Sequence, residues 1–112
     1  MPVQNQALLD ALNTYVTSCE NCATACLQEG DVKMMVRCIG LDRDCADICA
    51  LTARFVARGS DHAAHLMKEC AELCKACGDE CEKHRAYAHC QECAAACRRC
   101  EAACRAGLSM AA

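Results

Sequence analysis

Cysteine and apolar positions recur along this chain at the spacing of an α-helix. The last such stripe has intervals of three, four, three and four residues and consists of Cys90, Cys93, Cys97, Cys100 and Cys104. Side chains at this spacing fall on one face of a helix. Between Ala86 and Ala106 there is no Leu, Ile, Val, Phe or Met. The buried face of this helix must therefore consist of cysteine with alanine beside it.

Three earlier segments show the same spacing, and each mixes cysteine with apolar residues. The first stripe consists of Leu8, Leu12, Tyr15, Cys19, Cys22 and Cys26. The second consists of Cys38, Asp42, Cys45, Cys49, Thr52 and Val56. The third consists of Met67, Cys70, Cys74, Cys77, Cys81 and His84. Asp42 stands out because an acid occupies a position where the 4, 3, 4 spacing calls for another cysteine.

Capping and breaking residues divide the pattern into four helices. Asn5 and Asp31 are suited to cap the first and second helices, and Gly30 is suited to end the first. The stripe changes phase between positions 84 and 87, which places a break there. The predicted helices span approximately 5–29, 31–58, 61–84 and 87–106. Gly40 and Gly78 lie inside helices, where interior glycine usually indicates close helix approach.

These elements predict an all-α fold in which residues 1–112 form a single domain. Four helices with short connections favour an antiparallel up-down-up-down four-helix bundle with a cysteine-lined core. Leu, Ile, Val and Phe together number 17 of 112 residues, below the roughly 20% typical of a conventional core. Either the chain is loosely folded without help, or something other than aliphatic packing fills part of the interior.

The antiparallel arrangement predicts different chemistry at the two ends of the bundle. One end gathers apolar residues, namely Leu8, Leu12, Phe55, Val56, Leu66 and Leu108. The opposite end gathers candidate metal ligands, namely Met34, Met35, Asp42, His84 and His89. The cysteines form a column between them.

Charge and composition exclude several classes of function. The net charge of −3 and the scarcity of aromatic residues oppose nucleic-acid binding. No stretch approaches 18 consecutive apolar residues and no signal-peptide pattern is present, so we expect a cytoplasmic protein that binds no membrane. A reducing cytosol and the odd number of cysteines both argue against a disulfide framework.

Soft thiolate ligands select Cu(I), Zn(II) or iron–sulfur clusters. Fifteen thiolates complete at most three four-thiolate zinc sites, which would bury about six negative charges with almost no lysine or arginine to offset them. One Cu(I) per thiolate is electrically neutral. Charge balance therefore favours multiple Cu(I) ions per chain as the cargo, with protons released as metal binds.

Other kinds of cysteine chemistry agree less well with the stripes. Redox catalysis through a thioredoxin-type Cys-x-x-Cys motif needs a strand before the helix, and the sequence has no strand signal. The usual iron–sulfur ligand runs include a loop and often a Cys-Pro pair, whereas the only proline in this chain is Pro2. No enzyme is therefore predicted. Two alternatives stay open: a structural or interaction bundle stapled by disulfides, and a copper chaperone that delivers ions to a partner.

Three runs in the chain are similar to a known family. They are Cys-Glu-Asn-Cys-Ala-Thr-Ala-Cys from position 19, Cys-Lys-Ala-Cys-Gly-Asp-Glu-Cys-Glu-Lys-His from 74, and the run from 90 to 104. With them the chain resembles the bacterial copper storage proteins, specifically the cytosolic branch. The resemblance implies a homotetramer of cysteine-lined bundles that holds many Cu(I) ions. It also implies that copper enters each bundle at the end with the His and Met residues. The protein that accepts the stored copper stays unknown.

The predicted metal ligands combine the cysteine stripes with the candidates at one end of the bundle. The cysteines are Cys19, Cys22, Cys26, Cys38, Cys45, Cys49, Cys70, Cys74, Cys77, Cys81, Cys90, Cys93, Cys97, Cys100 and Cys104. By their positions, Met34, Met35, His84 and His89 correspond to the end at which the resemblance implies that copper enters. The second helix departs from the pattern because it has only three cysteines, so some ions near Asp42 are expected either to have mixed ligands or to be absent.

Overall fold

The structure, a computed structural model, describes residues 5–111, with side chains for residues 5–109. Its α-helices are α1 (Gln6–Leu27), α2 (Val36–Ala57), α3 (Ala63–Lys83) and α4 (Ala88–Ala111), and a 3-10 turn at Val32–Met35 precedes α2. Within the described range there is no strand, and no helix is long and apolar enough to cross a membrane.

Each helix packs against two others, α1 and α3 both lying between α2 and α4. The short connections make neighbouring helices antiparallel. The bundle measures 48 × 20 × 19 Å between Cα atoms. The predicted all-α, up-down-up-down bundle is confirmed.

Neither expected N-cap is formed by its side chain. Asn5 adopts a left-handed conformation with φ 71°, and its side chain makes no capping hydrogen bond. Asp31 precedes the 3-10 turn without capping it, and its carboxylate instead accepts a 2.7 Å hydrogen bond from the Tyr87 hydroxyl. Asn5 and Asp31 thus occupy the N-cap positions of α1 and of the 3-10 turn, but neither side chain makes the expected capping hydrogen bond.

Helix boundaries differ from expectation mainly around α2 and at the end of α4. The 3-10 turn delays the start of α2 to Val36. The left-handed glycine of the chain is Gly59 (φ 65°), and Gly30 is not in that conformation. Helix α4 continues past 106 to Ala111, and Leu108 packs half-buried against the core.

The connection between α3 and α4 lies where the cysteine stripe changes phase, between Lys83 and Ala88. The Gln91 amide donates hydrogen bonds to the backbone carbonyls of Cys81 (3.3 Å) and His84 (3.0 Å). These carbonyls at the end of α3 would otherwise lack helical partners. A side chain of α4 thus stabilises the end of α3.

The apolar end of the bundle is closed by tight packing. Leu8, Leu12, Val56 and Met67 are buried there, with Phe55, Leu66 and Leu108 half-buried at the edge. Gly107 lies so close to Leu8 and Met67 that a Cβ atom would overlap the Met67 methyl group. Alanine at position 107 would require the end of the Met67 side chain to shift.

The two glycines inside helices occupy different environments. A Cβ at Gly78 would lie 3.2 Å from the Cys97 Cβ and 3.0 Å from the Arg98 guanidinium, whereas a Cβ at Gly40 would meet nothing within 4 Å. Close approach of helices therefore explains Gly78 and does not explain Gly40.

We expect Gly40→Ala to stabilise the reduced, copper-free protein by about 0.5–1 kcal/mol, because alanine restricts the unfolded chain and favours helix. Gly78→Ala should gain less or lose stability, since its new methyl group crowds Cys97 and Arg98. Thermal unfolding of both variants measures the difference. Equal gains in the two would contradict the close packing of α3 on α4.

Candidate metal site

All fifteen cysteines line the interior of the bundle as one continuous group, which we call the thiol column. Each has at most 1% of its surface exposed, and each is a free thiol. The shortest distances between sulfur atoms of different helices are 3.4 Å for Cys49–Cys70 and 3.5 Å for Cys38–Cys81. The helical stripes thus place sulfur atoms from facing helices within reach of a shared small ion.

Five groups of four residues bring their ligand atoms within 4.8 Å of one another. The groups are Cys22–Cys26–His89–Cys90, Cys22–Cys38–Asp42–Cys81, Asp42–Cys77–Cys81–Cys93, Cys19–Cys77–Cys93–Cys97 and Cys49–Cys70–Cys74–Cys100. Two predicted ligands other than cysteine, Asp42 and His89, belong to these groups.

His89 lies at one end of the column, on the side away from the apolar residues. We call this end the mouth. Its Nδ1 is 3.5 Å from the Cys90 sulfur, 3.7 Å from that of Cys22 and 3.9 Å from that of Cys26. Its buried Nε2 has no hydrogen-bond partner and is 3.7 Å from a carboxylate oxygen of Glu29. The imidazole therefore faces three thiols with one nitrogen and an acidic side chain with the other.

His84 occupies a different environment from His89. Its Nε2 is 3.1 Å from a carboxylate oxygen of Glu80. Glu80 is itself buried and also pairs with Arg37 at 3.4 Å and Lys83 at 3.3 Å. Among the described residues, His84 belongs to none of the four-residue groups. The structure thus holds His84 against a carboxylate that the sequence pattern did not single out.

The two candidate methionines differ in exposure. Met35 is fully buried, whereas Met34 is 70% exposed. Both belong to the 3-10 turn that leads into α2. Met35 thus packs in the core, while the Met34 thioether is open to solvent.

Asp42 is fully buried inside the thiol column, one step inward from the mouth. Its carboxyl oxygens lie 3.1 Å from the Cys77 sulfur, 3.4 Å from that of Cys93 and 3.6 Å from that of Cys81. Burial, reinforced by the neighbouring Cys77 and Cys22, raises the pKa of Asp42 to about 10. In the copper-free protein at pH 7, this carboxyl group is therefore protonated.

Burial also affects the thiols near the mouth. It raises the pKa of Cys26 to about 12 and raises that of Cys90. Both thiols are therefore protonated before metal arrives, and a metal ion must displace their protons to bind the sulfur.

Two buried hydroxyl groups were not anticipated as polar contacts. Tyr15 is 1% exposed, and its hydroxyl donates a hydrogen bond to the Cys97 sulfur. Thr52 is fully buried and donates to the Leu66 carbonyl at 3.5 Å. The sequence signal for Tyr15 was its position where the first stripe changes from apolar residues to cysteine, since a buried phenol needs a partner.

A helical bundle whose interior combines free thiols with a carboxyl and an imidazole group belongs to the class of proteins that bind soft metal ions in their core. The sequence profile of the Csp copper storage proteins matches residues 1–109. The chain belongs to this family, which confirms the prediction made from the three cysteine runs.

Solved structures of family members agree with this result. The Cu(I)-bound copper storage protein BsCsp3 is 40% identical, with a TM-score of 0.87 over 92% of this chain and 97% of that one. Ccsp from Streptomyces lividans, loaded with 10 copper equivalents, is 34% identical, with a TM-score of 0.90 over 97% and 92% of the two chains. Another structure from Streptomyces lividans describes copper loading to a cytosolic copper storage protein.

A further relative is the uncharacterized cysteine-rich protein YhjQ from Bacillus subtilis (strain 168). It is 41% identical over 71 residues, which make up 63% of this chain and 66% of the relative.

Proposed function

We propose that this chain stores Cu(I), with several ions held per chain by the thiolates of the column. The observation that supports this most directly is the set of five four-ligand groups in the buried interior of the bundle. Among the described residues, the only buried polar or charged side chains are Asp42, Thr52 and Glu80. With no buried lysine or arginine to balance extra negative charge, monovalent copper on thiolate suits the column better than divalent zinc.

All fifteen cysteines are proposed ligands, together with the candidates near the mouth. Asp42 is suited to bind an ion through its carboxyl oxygen, and His89 through Nδ1, because both atoms already face thiols. Met35 is proposed to bind at the buried side of the mouth. Met34 and His84 are proposed to meet ions on arrival, His84 only after its contact with Glu80 breaks.

The remaining properties are proposed from the family. We infer a single non-enzymatic domain over residues 1–112 that works in the cytoplasm as a homotetramer and buffers copper there. Supporting this, a Streptomyces lividans relative is described as cytosolic. The stored ions are expected to pass to a copper-accepting protein.

The test is an anaerobic titration of the reduced protein with Cu(I), in competition with a chromophoric chelator. We expect binding of many ions, on the order of one per thiol, because this ratio leaves the interior nearly neutral. Saturation at one or two ions would favour a copper chaperone. Failure of the reduced protein to bind, with recovery of a folded state on oxidation, would favour a disulfide-stapled bundle.

Replacing His89 with alanine should slow copper loading more than it lowers capacity. The imidazole faces the first three thiols an ion meets, and the column behind it is unchanged. Stopped-flow mixing with a Cu(I)–chelator complex measures the rate, and the titration measures capacity. His84→Ala is the matched comparison and should slow loading less, because His84 contacts Glu80 instead of thiols. Equal rates in His89→Ala and the wild type would remove the proposed role.

A further inference from the structure

The connection between α1 and α2 meets the start of α4 at the mouth. Tyr87, the residue before α4, donates a 2.7 Å hydrogen bond from its hydroxyl to the Asp31 carboxylate. Its ring lies beside the His89 imidazole, with ring centroids 5.6 Å apart. Glu29 precedes Asp31 by two residues, and its backbone N–H donates to the Cys26 carbonyl at 3.2 Å. These contacts hold the segment that carries Glu29 next to His89.

The two ring nitrogens of His89 face different chemical groups. Nδ1 faces three sulfur atoms at 3.5–3.9 Å. They belong to Cys22, Cys26 and Cys90, which we call the mouth thiols. Nε2 is buried, has no hydrogen-bond partner and is 3.7 Å from a carboxylate oxygen of Glu29. An approach of about 0.7 Å would bring this oxygen to the usual N–H···O distance of about 3.0 Å.

The position of the proton on the His89 ring decides whether Nδ1 is a ligand. A neutral imidazole carries its proton on one nitrogen, and only the other nitrogen has a lone pair that binds metal. With the proton on Nε2, the Nδ1 lone pair is directed at the mouth thiols, and Nε2–H needs an acceptor. Metal-binding histidines commonly donate this second N–H to a carboxylate, which fixes the tautomer and the ring orientation. Glu29 lies where this arrangement requires an acceptor.

We propose that Glu29 is a positioning residue for copper entry, whose carboxylate accepts a hydrogen bond from the Nε2–H of His89 and thereby keeps the Nδ1 lone pair directed at the mouth thiols. Glu29 acts through the imidazole and does not itself bind copper. This inference rests on the proposed storage of Cu(I) and on the proposed role of His89 at the mouth.

The first experiment determines the tautomer in the reduced, copper-free protein, from long-range ¹H–¹⁵N correlation spectra of ¹⁵N-labelled histidine rings. His89→Ala identifies the His89 signals among those of the four histidines. We expect the Nε2–H form in the wild type and a shift toward Nδ1–H in Glu29→Ala. Glu29→Gln should keep the Nε2–H form, because its amide oxygen still accepts a hydrogen bond. Glu20→Ala removes an exposed acid of α1 and should leave the His89 signals unchanged.

The rate of copper loading provides the second readout. In stopped-flow mixing with a Cu(I)–chelator complex, Glu29→Ala should load about tenfold more slowly with unchanged capacity, as expected when such a partner of a metal-binding histidine is removed. Glu29→Gln should load at close to the wild-type rate. Adding Glu29→Ala to His89→Ala should slow loading no further than His89→Ala alone, because Glu29 acts through the imidazole.

Three results would overturn the inference: the Nδ1–H form in the wild type, unchanged His89 signals in Glu29→Ala, or equal slowing of loading in Glu29→Gln and Glu29→Ala. The last would mean that Glu29 attracts Cu(I) by its charge. Failure of the proposed function is distinguishable, because it would appear as wild-type saturation at one or two ions, whereas the tautomer is measured without copper. The wild-type spectrum tests the inference even if a variant does not fold.

Discussion

We expect Asp42→Asn to stabilise the reduced, copper-free protein at pH 7 by roughly 2–4 kcal/mol. The unfolded carboxyl group has an ordinary pKa of 3.8 and the folded one a pKa of about 10, so folding at pH 7 requires Asp42 to take up a proton. Each pH unit above the unfolded pKa adds about 1.4 kcal/mol to this cost, which gives roughly 4 kcal/mol as an upper limit. Asparagine resembles the protonated acid and avoids the cost.

The same residue sets a pH dependence of stability. The native state binds more protons than the unfolded state between about pH 4 and 10, so the contribution of Asp42 to stability falls as pH rises through this window. Chemical unfolding from pH 5 to 8, below the ordinary range of thiol titration, measures the slope. Asp42→Asn should flatten it, whereas Asp44→Asn, which neutralises an exposed acid of the same helix, should not.

An unchanged slope in Asp42→Asn would mean that the Asp42 carboxyl is already ionised in the copper-free core. Loss of stability in Asp42→Asn, with Asp44→Asn unaffected, would lead to the same conclusion. Either result would contradict the protonated state that burial imposes.

Copper loading should protect α4 from hydrogen exchange more than any other helix. In the copper-free protein, the buried face of α4 through Cys104 consists of cysteine and alanine, and these bury less apolar surface than leucine would. A ligand present at 1,000 times its dissociation constant stabilises the native state by about 4 kcal/mol per site. Amides near Cys93 and Cys97 should therefore exchange on the order of 1,000-fold more slowly in the loaded protein.

The control for this experiment lies within the chain. The first half of α1 packs through Leu8, Leu12 and Tyr15, so metal supplies less of its stability. Its amides should gain less protection than those of α4, when copper-free and loaded samples are compared by mass spectrometry. Equal gains in both segments would show that the bundle opens only as a whole.

The main features of the fold and the column follow from spacing alone. Cysteines three and four residues apart must share a helix face. Because the chain has few aliphatic residues to bury, this face is expected to be the buried one. The same periodicity placed Asp42 among the thiols although its residue type disfavours burial. The change of phase after His84 located the last turn without any glycine or proline.

The features that sequence reasoning missed depend on contacts across the bundle. Glu80 lies off the cysteine stripe, and its buried carboxylate pairs with Arg37 of α2, with Lys83 and with His84. The Tyr15 hydroxyl points toward Cys97, 82 residues away. The failure at Asn5 and Asp31 has a different origin, because a cap depends on the backbone conformation of a single residue, which periodicity does not determine.

Leu8, Leu12, Val56 and Met67 are buried at the apolar end of the bundle, so we expect copper ions to enter and leave the column through the mouth. Ions that arrive first and move inward are then trapped behind those that follow. We therefore expect withdrawal in a last-in, first-out order. The copper a cell can reclaim quickly would depend on how full each chain is, while the innermost ions form a slow reserve whatever their affinity.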